Sequence, residues 1–194
     1  MVSSQIRKTP PTRKDARENR ARLLEAAREV FASSGFDAPL SEVASRAGVG
    51  RATLYRNFPD RVALAAAIFE DNLAELEALA DAHRGQAKSF ITLLETIVEQ
   101  QIQVHSLFRM LLAGASDTPD VNEPMRRIKA VLGEPLREAK AEGIVRDDLS
   151  LRDVIDMLTM IAAVLAAETS PISRQARAER ALTLLLDGIV PRGC

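Results

Sequence analysis

Two short apolar stripes of helical period, Leu40–Ala47 and Gly50–Phe58, meet at the four residues Ala47-Gly48-Val49-Gly50. No other feature constrains the chain as much. In the first stripe Leu40, Val43, Ala44 and Ala47 recur at one face of a helix. The second brings Leu54 and Phe58 to one side and must stop before Pro59, because the residue ahead of a proline disfavours the α region. A glycine lets the backbone turn between them. Two short helices joined in this way have the geometry of a helix–turn–helix, whose second helix can enter the major groove of DNA.

The same period runs through the rest of the chain. Leu23, Leu24, Ala27, Val30 and Phe31 mark a helix from about Asp15 that Gly35 stops. Further helices are expected over about Arg61–Ala82, from about Ala87, over Ser106–Ala113, and over Val121–Glu142. Gly133 and Pro135 should bend or split the last of these. Ser150 with Asp153 forms a capping-box pattern that opens Leu151–Glu168, and a final helix covers about Ser173–Ile189 after Pro171. Ile91–Val98 has strand propensity, but its apolar spacing favours helix. The expected fold is all-α. It comprises a basic arm over 1–14, a three-helix head over 15–60, and a larger helical body over 61–194.

Composition narrows the function classes. With 46% hydrophobic and 27% charged residues, the chain is not disordered as a whole. One cysteine, Cys194, rules out an internal disulfide. With only two histidines, His83 and His105, it also rules out a zinc finger or an iron–sulfur cluster. The longest uncharged apolar stretch, Met157–Ala167, is about half of the ~20 residues that span a bilayer. The basic, polar start has no apolar signal region, so a cytoplasmic protein without membrane contact is expected. Nucleophile elbow, Walker loop, Rossmann glycines and His-Glu-x-x-His are all missing. Asp117, Asp120 and Glu123 have no histidine beside them. No catalytic residue, metal site or cofactor is therefore expected, and an enzyme is the weaker reading.

Charge is divided unevenly. Residues 1–61 carry twelve basic and seven acidic side chains, a net +5 that leaves −6 on the remainder of a chain whose total is −1. A basic head on an acidic body points to a polyanionic partner at one end.

The stretch Leu-Ser-Glu-Val-Ala-Ser-Arg-Ala-Gly-Val-Gly-Arg-Ala-Thr-Leu-Tyr-Arg-Asn-Phe-Pro-Asp-Arg-Val-Ala-Leu, starting at Leu40, closely resembles the TetR family signature. So does the preceding Leu-Leu-Glu-Ala-Ala-Arg-Glu-Val-Phe-Ala-Ser-Ser-Gly-Phe. The likeness is specific over about 18–70 and looser beyond, where Glu-Gly-Ile-Val-Arg-Asp-Asp is familiar from several subgroups. It implies a dimeric transcriptional repressor that binds a pseudo-palindromic operator in double-stranded DNA and is released by a small effector held in the body. A DNA-binding activator, or a regulator that needs no effector, is the alternative.

Physical roles fit that resemblance. Arg51 begins the second helix of the motif with the reach to read a guanine edge. Gly50 and Ala52 are small enough for close approach, and Ala52 or Thr53 can meet a thymine methyl. The resemblance implies a phosphate contact for Tyr55. Arg56 and Arg61, with Lys14 and Arg17 nearer the N-terminus, supply positive charge. Asn57 stands where the family usually has a phosphate-binding histidine. Pro39-Leu40 replaces the usual Ser/Thr cap, leaving Asp37 or Ser41 to cap the helix and Ser41 as a further contact candidate.

The last two helices are apolar over more than one stripe and need cover on both sides. A homodimer interface through Val154, Leu158, Ile161, Ala162, Leu165, Leu182, Leu185 and Ile189 would provide it. Phe90, Leu94, Ile97, His105, Phe108, Met110, Met125, Met157 and Met160 are the candidates for lining an effector pocket, methionine being adaptable to irregular shapes. The sequence does not identify the effector.

Overall fold

The computed structural model describes residues 13–86, 88–103, 122–167 and 171–191, and its regular elements there are all helices. In chain order they are α1 (Arg13–Ser34), α2 (Leu40–Arg46), α3 (Arg51–Asn57), α4 (Arg61–Ala82), α5 (Ser89–Gln103), α6 (Asn122–Ala141), α7 (Leu151–Ala166) and α8 (Pro171–Ile189). Arg13 and Lys14, expected in the arm, belong to α1, and the rest of the expected arm lies outside the described residues. The expected helix at 106–113 and the acidic loop after it lie outside the described residues.

Two apolar cores organise the chain. The first packs Leu23, Leu24, Ala27, Val30 and Phe31 of α1 against Val43 and Ala44 of α2, Leu54 of α3, and Phe58. It does not end at residue 60. Leu64, Ala65 and Ile68 of α4 join it, while Leu73 and Leu76, farther along the same helix, belong to the second core. One 22-residue helix thus serves head and body, and the junction lies inside α4. Asp60 caps its start, accepting a hydrogen bond from the Ala63 amide at 2.7 Å.

In the body, α5 is surrounded. It packs on α4, α6, α7 and α8 and also meets α1 of the head. Phe90, Leu93, Leu94, Ile97 and Val98 are all buried along it, so the strand propensity of this segment yields to packing. Neither Gly133 nor Pro135 splits α6, which runs unbroken with Pro135 inside it. A helix-interior proline costs about 3 kcal/mol, whereas burying Ile128, Leu132 and Leu136 returns about 1.5–3 kcal/mol each. Arg127 of α6 binds Glu77 of α4 through two nitrogens, at 2.9 and 3.0 Å, and Glu70 at 2.7 Å. Hydrogen bonding to Arg127 holds the Glu77 carboxyl below its ordinary range, and the carboxylates raise the Arg127 guanidinium in turn.

The start of α7 carries the expected capping box between Ser150 and Asp153. The hydrogen bond from Ser150 lowers the Asp153 carboxyl. At the start of α8, nearly buried Arg174 reaches the head, donating to the carbonyl of Ala32 at 3.4 Å. Among the described residues no helix is long and apolar enough to cross a membrane.

Candidate nucleic-acid interface

The turn between α2 and α3 is a Schellman ending. Val49 donates to the carbonyl of Ala44 at 3.0 Å and Gly48 to that of Ser45 at 3.1 Å. Gly48 has φ +65° there, a conformation that side-chain-bearing residues rarely adopt. Gly50 follows in extended conformation and opens α3. Val43, Ala44, Leu54 and Phe58 anchor both helices from below, so the opposite face of α3 is left to solvent. Neither Asp37 nor Ser41 caps α2. Its N-cap is Pro39 with no side-chain bond, and Asp37 instead meets Arg61 at 3.0 Å.

The exposed face gathers the expected readers. Gly50, Arg51, Ala52 and Tyr55 are exposed, Tyr55 by 52%, and Thr53 and Ser41 are half-buried at its edge. An aromatic ring left half in water on the outer face of a short helix has no packing role there. Among the described residues Arg51 makes no ion pair or hydrogen bond, so its charge is free. Arg56 is exposed but folds back, donating from Nε to the carbonyl of Ala52 at 3.0 Å. Asn57 likewise donates to the carbonyl of Thr53 at 2.8 Å.

Arg61 departs from expectation. Its guanidinium donates to the carbonyl of Phe36 at 2.8 Å, to Asp37 at 3.0 Å and to the carbonyl of Ala38 at 3.3 Å, and stacks over the Phe36 ring. It ties the α1–α2 loop to the start of α4 and is not presented to a ligand. Hydrogen bonds from charged donors contribute about 1.5–3 kcal/mol. Arg61→Ala should therefore lower the melting temperature while leaving the affinity of the folded protein for scrambled DNA unchanged, which melting curves and filter binding would check.

The head's charge is also partly spent internally. Arg28 pairs with Asp71, and Arg46 with Glu29. Lys14 and Arg17 remain exposed on α1, Lys14 with a loose contact to Glu18 at 3.9 Å. Two further arginines of α1 belong with them. Arg20 lies over the Phe58 ring, 5.3 Å from its centroid, and Arg22 reaches the Gly48 turn. Both flank the ends of α3. For Arg20 the signal in the sequence was its helical spacing from Arg17.

The pocket candidates do not assemble as expected. Phe90 and Leu94 are buried in the body's core. His105, Phe108 and Met110 lie outside the described residues. Met125 and Met157 are half-buried, Met157 beside Leu184 and Leu185, and Met160 is 54% exposed on the outer face of α7. Only Ile97 of the described candidates lines the small apolar cavity between α4, α5 and α6. Its volume is about 30 Å³, walled by Phe69, Leu73, Leu76 and Ile128 with the amides of Asn72, Gln100 and Gln101.

The interface candidates need a larger correction. Val154, Leu158, Ile161, Ala162, Leu165 and Ile189 are buried inside the protomer, and Leu182 and Leu185 pack half-buried against the same core. The most apolar stripe of each helix is taken by the protomer's own core. Outside, α7 leaves Thr159, Met160 and Ala163 with the charged Arg152 and Asp156, and α8 leaves Thr183 and Leu184 with Arg177, Glu179, Arg180 and Asp187; Val190 is exposed just past its end.

A helix–turn–helix head with a basic, outward-facing second helix, set on a helical body, defines a DNA-binding class. The N-terminal signature of bacterial regulatory proteins of the tetR family matches residues 23–68, and the C-terminal domain described as transcriptional regulator SbtR-like matches residues 85–191. The chain belongs to the TetR family. A TetR transcription regulatory protein from Mycobacterium vanbaalenii is 29% identical, with a TM-score of 0.66 over 93% of this chain and 100% of that one. A TetR transcriptional regulator from Streptomyces coelicolor is 30% identical, also with a TM-score of 0.66, over 90% and 99%. An HTH-type transcriptional regulator of Staphylococcus aureus is 27% identical over 53% of this chain, and the match spans 58% of that relative's length. The first signature ends at Ile68, the last α4 residue in the head's core.

Proposed function

We propose that the protein is a homodimeric repressor that binds a pseudo-palindromic operator through α3 and is released by a small-molecule effector held in the body. The exposed, unpaired Arg51 beside exposed Tyr55, with Arg20 and Arg22 of α1 near the two ends of α3, carries this reading. Arg51 reads a base edge, while Tyr55 and the α1 arginines hold phosphates. Two heads fit two half-sites when their α3 helices stand about 34–36 Å apart, one turn of DNA. The outward residues of α7 and α8, including exposed Met160 and Leu184, supply the dimer contact. Such a regulator works in the cytoplasm, where the DNA is, and needs no cofactor.

Selection from randomised DNA, followed by binding measured against salt, tests this. With about 6–10 phosphates neutralised per dimer, affinity should fall about 10³–10⁵-fold between 50 and 200 mM salt. A curve flat in salt, or a pool that yields no two-fold related sequence, would count against it.

A further inference from the structure

Asn72, in the middle of α4, is 7% exposed and holds two parts of the molecule at once. Its side-chain Oδ1 accepts a hydrogen bond from Nη2 of Arg28 on α1 at 3.0 Å. Its backbone carbonyl accepts one from Nε2 of Gln100 on α5 at 3.1 Å. The first bond belongs to the head and the second to the wall of the α4–α5–α6 cavity, which Asn72 also lines. Arg28 bonds Asp71 as well, at 2.6 Å, but that carboxylate is 44% exposed and open to water, whereas Asn72 is nearly buried. Asn72 is the buried acceptor, and its loss would leave a nearly buried guanidinium N–H unmatched.

The cavity is mainly apolar, but one of the few polar groups in its wall is unsatisfied. Gln101, 2% exposed, donates from Nε2 to the carbonyl of Leu158 at 3.3 Å, and its Oε1 has no partner. A buried acceptor without a donor costs free energy, so this cavity is where an arriving donor or a rotated amide gains most. Any such rearrangement acts beside Asn72.

We propose that Asn72 is the positioning residue through which the state of this cavity sets the pose of the DNA-binding head. It fixes α1 through Arg28, and α2 and α3 pack on α1, so the angle of α3 follows the α4–α5 contact. The inference rests on the DNA-binding reading of α3 and adds to it a defined connection between body and head.

The test uses the full chain and the DNA it selects from a random pool. Asn72→Leu should lower affinity for the selected site about 2–30-fold, the range seen for residues that couple sites without touching a ligand. Affinity for scrambled DNA and the salt slope should not change, since no phosphate contact is removed. Asn72→Asp, which keeps an acceptor for Arg28, should restore the parental value. Arg28→Met should reproduce the loss, and the double variant Arg28→Met/Asn72→Leu should fall no further than the worse single one, because both cut the same link. Arg28→Met carries the test alone should Asn72→Leu not melt cooperatively. Equal loss on selected and scrambled DNA, additive single effects, or no loss in either variant would overturn the proposal. A parent that selects no sequence would overturn the DNA-binding reading with it, whereas a parent that selects one while the variants match it overturns this proposal alone.

Discussion

Met160→Glu should leave the protein folded and abolish tight operator binding, while Leu158→Glu, two residues earlier on the same helix, should prevent folding. The pair separates two faces of α7 that both read as apolar in the sequence. Leu158 is 7% exposed in the body's core, and its carbonyl takes the Gln101 amide. A carboxylate there would lose about 1.5–3 kcal/mol of burial and be held without a partner away from water, which is costlier still. Against a total stability of about 5–15 kcal/mol, that is enough to unfold the chain. Met160 is 54% exposed, so a glutamate there is well solvated in a single protomer and is desolvated only when a second copy covers it. The expected product is a folded monomer that retains weak, salt-sensitive binding to any DNA and loses the second half-site. Circular dichroism melting, light scattering and operator binding on one sample distinguish the two variants. A dimeric Met160→Glu protein that binds like the parent would place the interface elsewhere.

The second large effect is expected at Arg51. Arg51→Ala should cost about 1–3 kcal/mol on the selected site and relax preference at one base pair in each half-site, because a bidentate guanine contact is lost. Tyr55→Phe should instead weaken matched and scrambled DNA alike, since a phosphate hydrogen bond carries no sequence information. Arg56→Ala should do less than either, because its Nε bond to the carbonyl of Ala52 folds the side chain back along α3. Competition between matched and scrambled duplexes measures all three. The assignment fails if Arg51→Ala lowers every sequence equally while Tyr55→Phe changes the preference.

Arg61 and Arg51 show where reading the sequence stopped. Both are arginines at a helix start inside a basic segment, and nothing in their neighbours distinguishes them. Their difference lies in what folds next to them. Arg61 faces the carbonyls of Phe36 and Ala38 across a turn some 25 residues earlier in the chain, and Arg51 faces water. Net charge likewise counted Arg28 and Arg46 toward DNA, although folding pairs them with Asp71 and Glu29.

The sequence by itself determined the all-helical class, the two helices of the motif, the turn at Gly48 and the outward residues of α3. Those depend on periodicity, on glycine's access to positive φ and on proline's intolerance of the α region ahead of it, all local properties of the chain. Only the tertiary structure decided which residues of α7 and α8 are core and which stay exposed. The same holds for α4, which belongs to both head and body, and for the cavity, whose walls include Asn72, Gln100 and Gln101 and none of the candidate methionines. Periodicity tells that a helix has an apolar face but not what covers it, because the covering residues come from elsewhere in the chain and are chosen by packing.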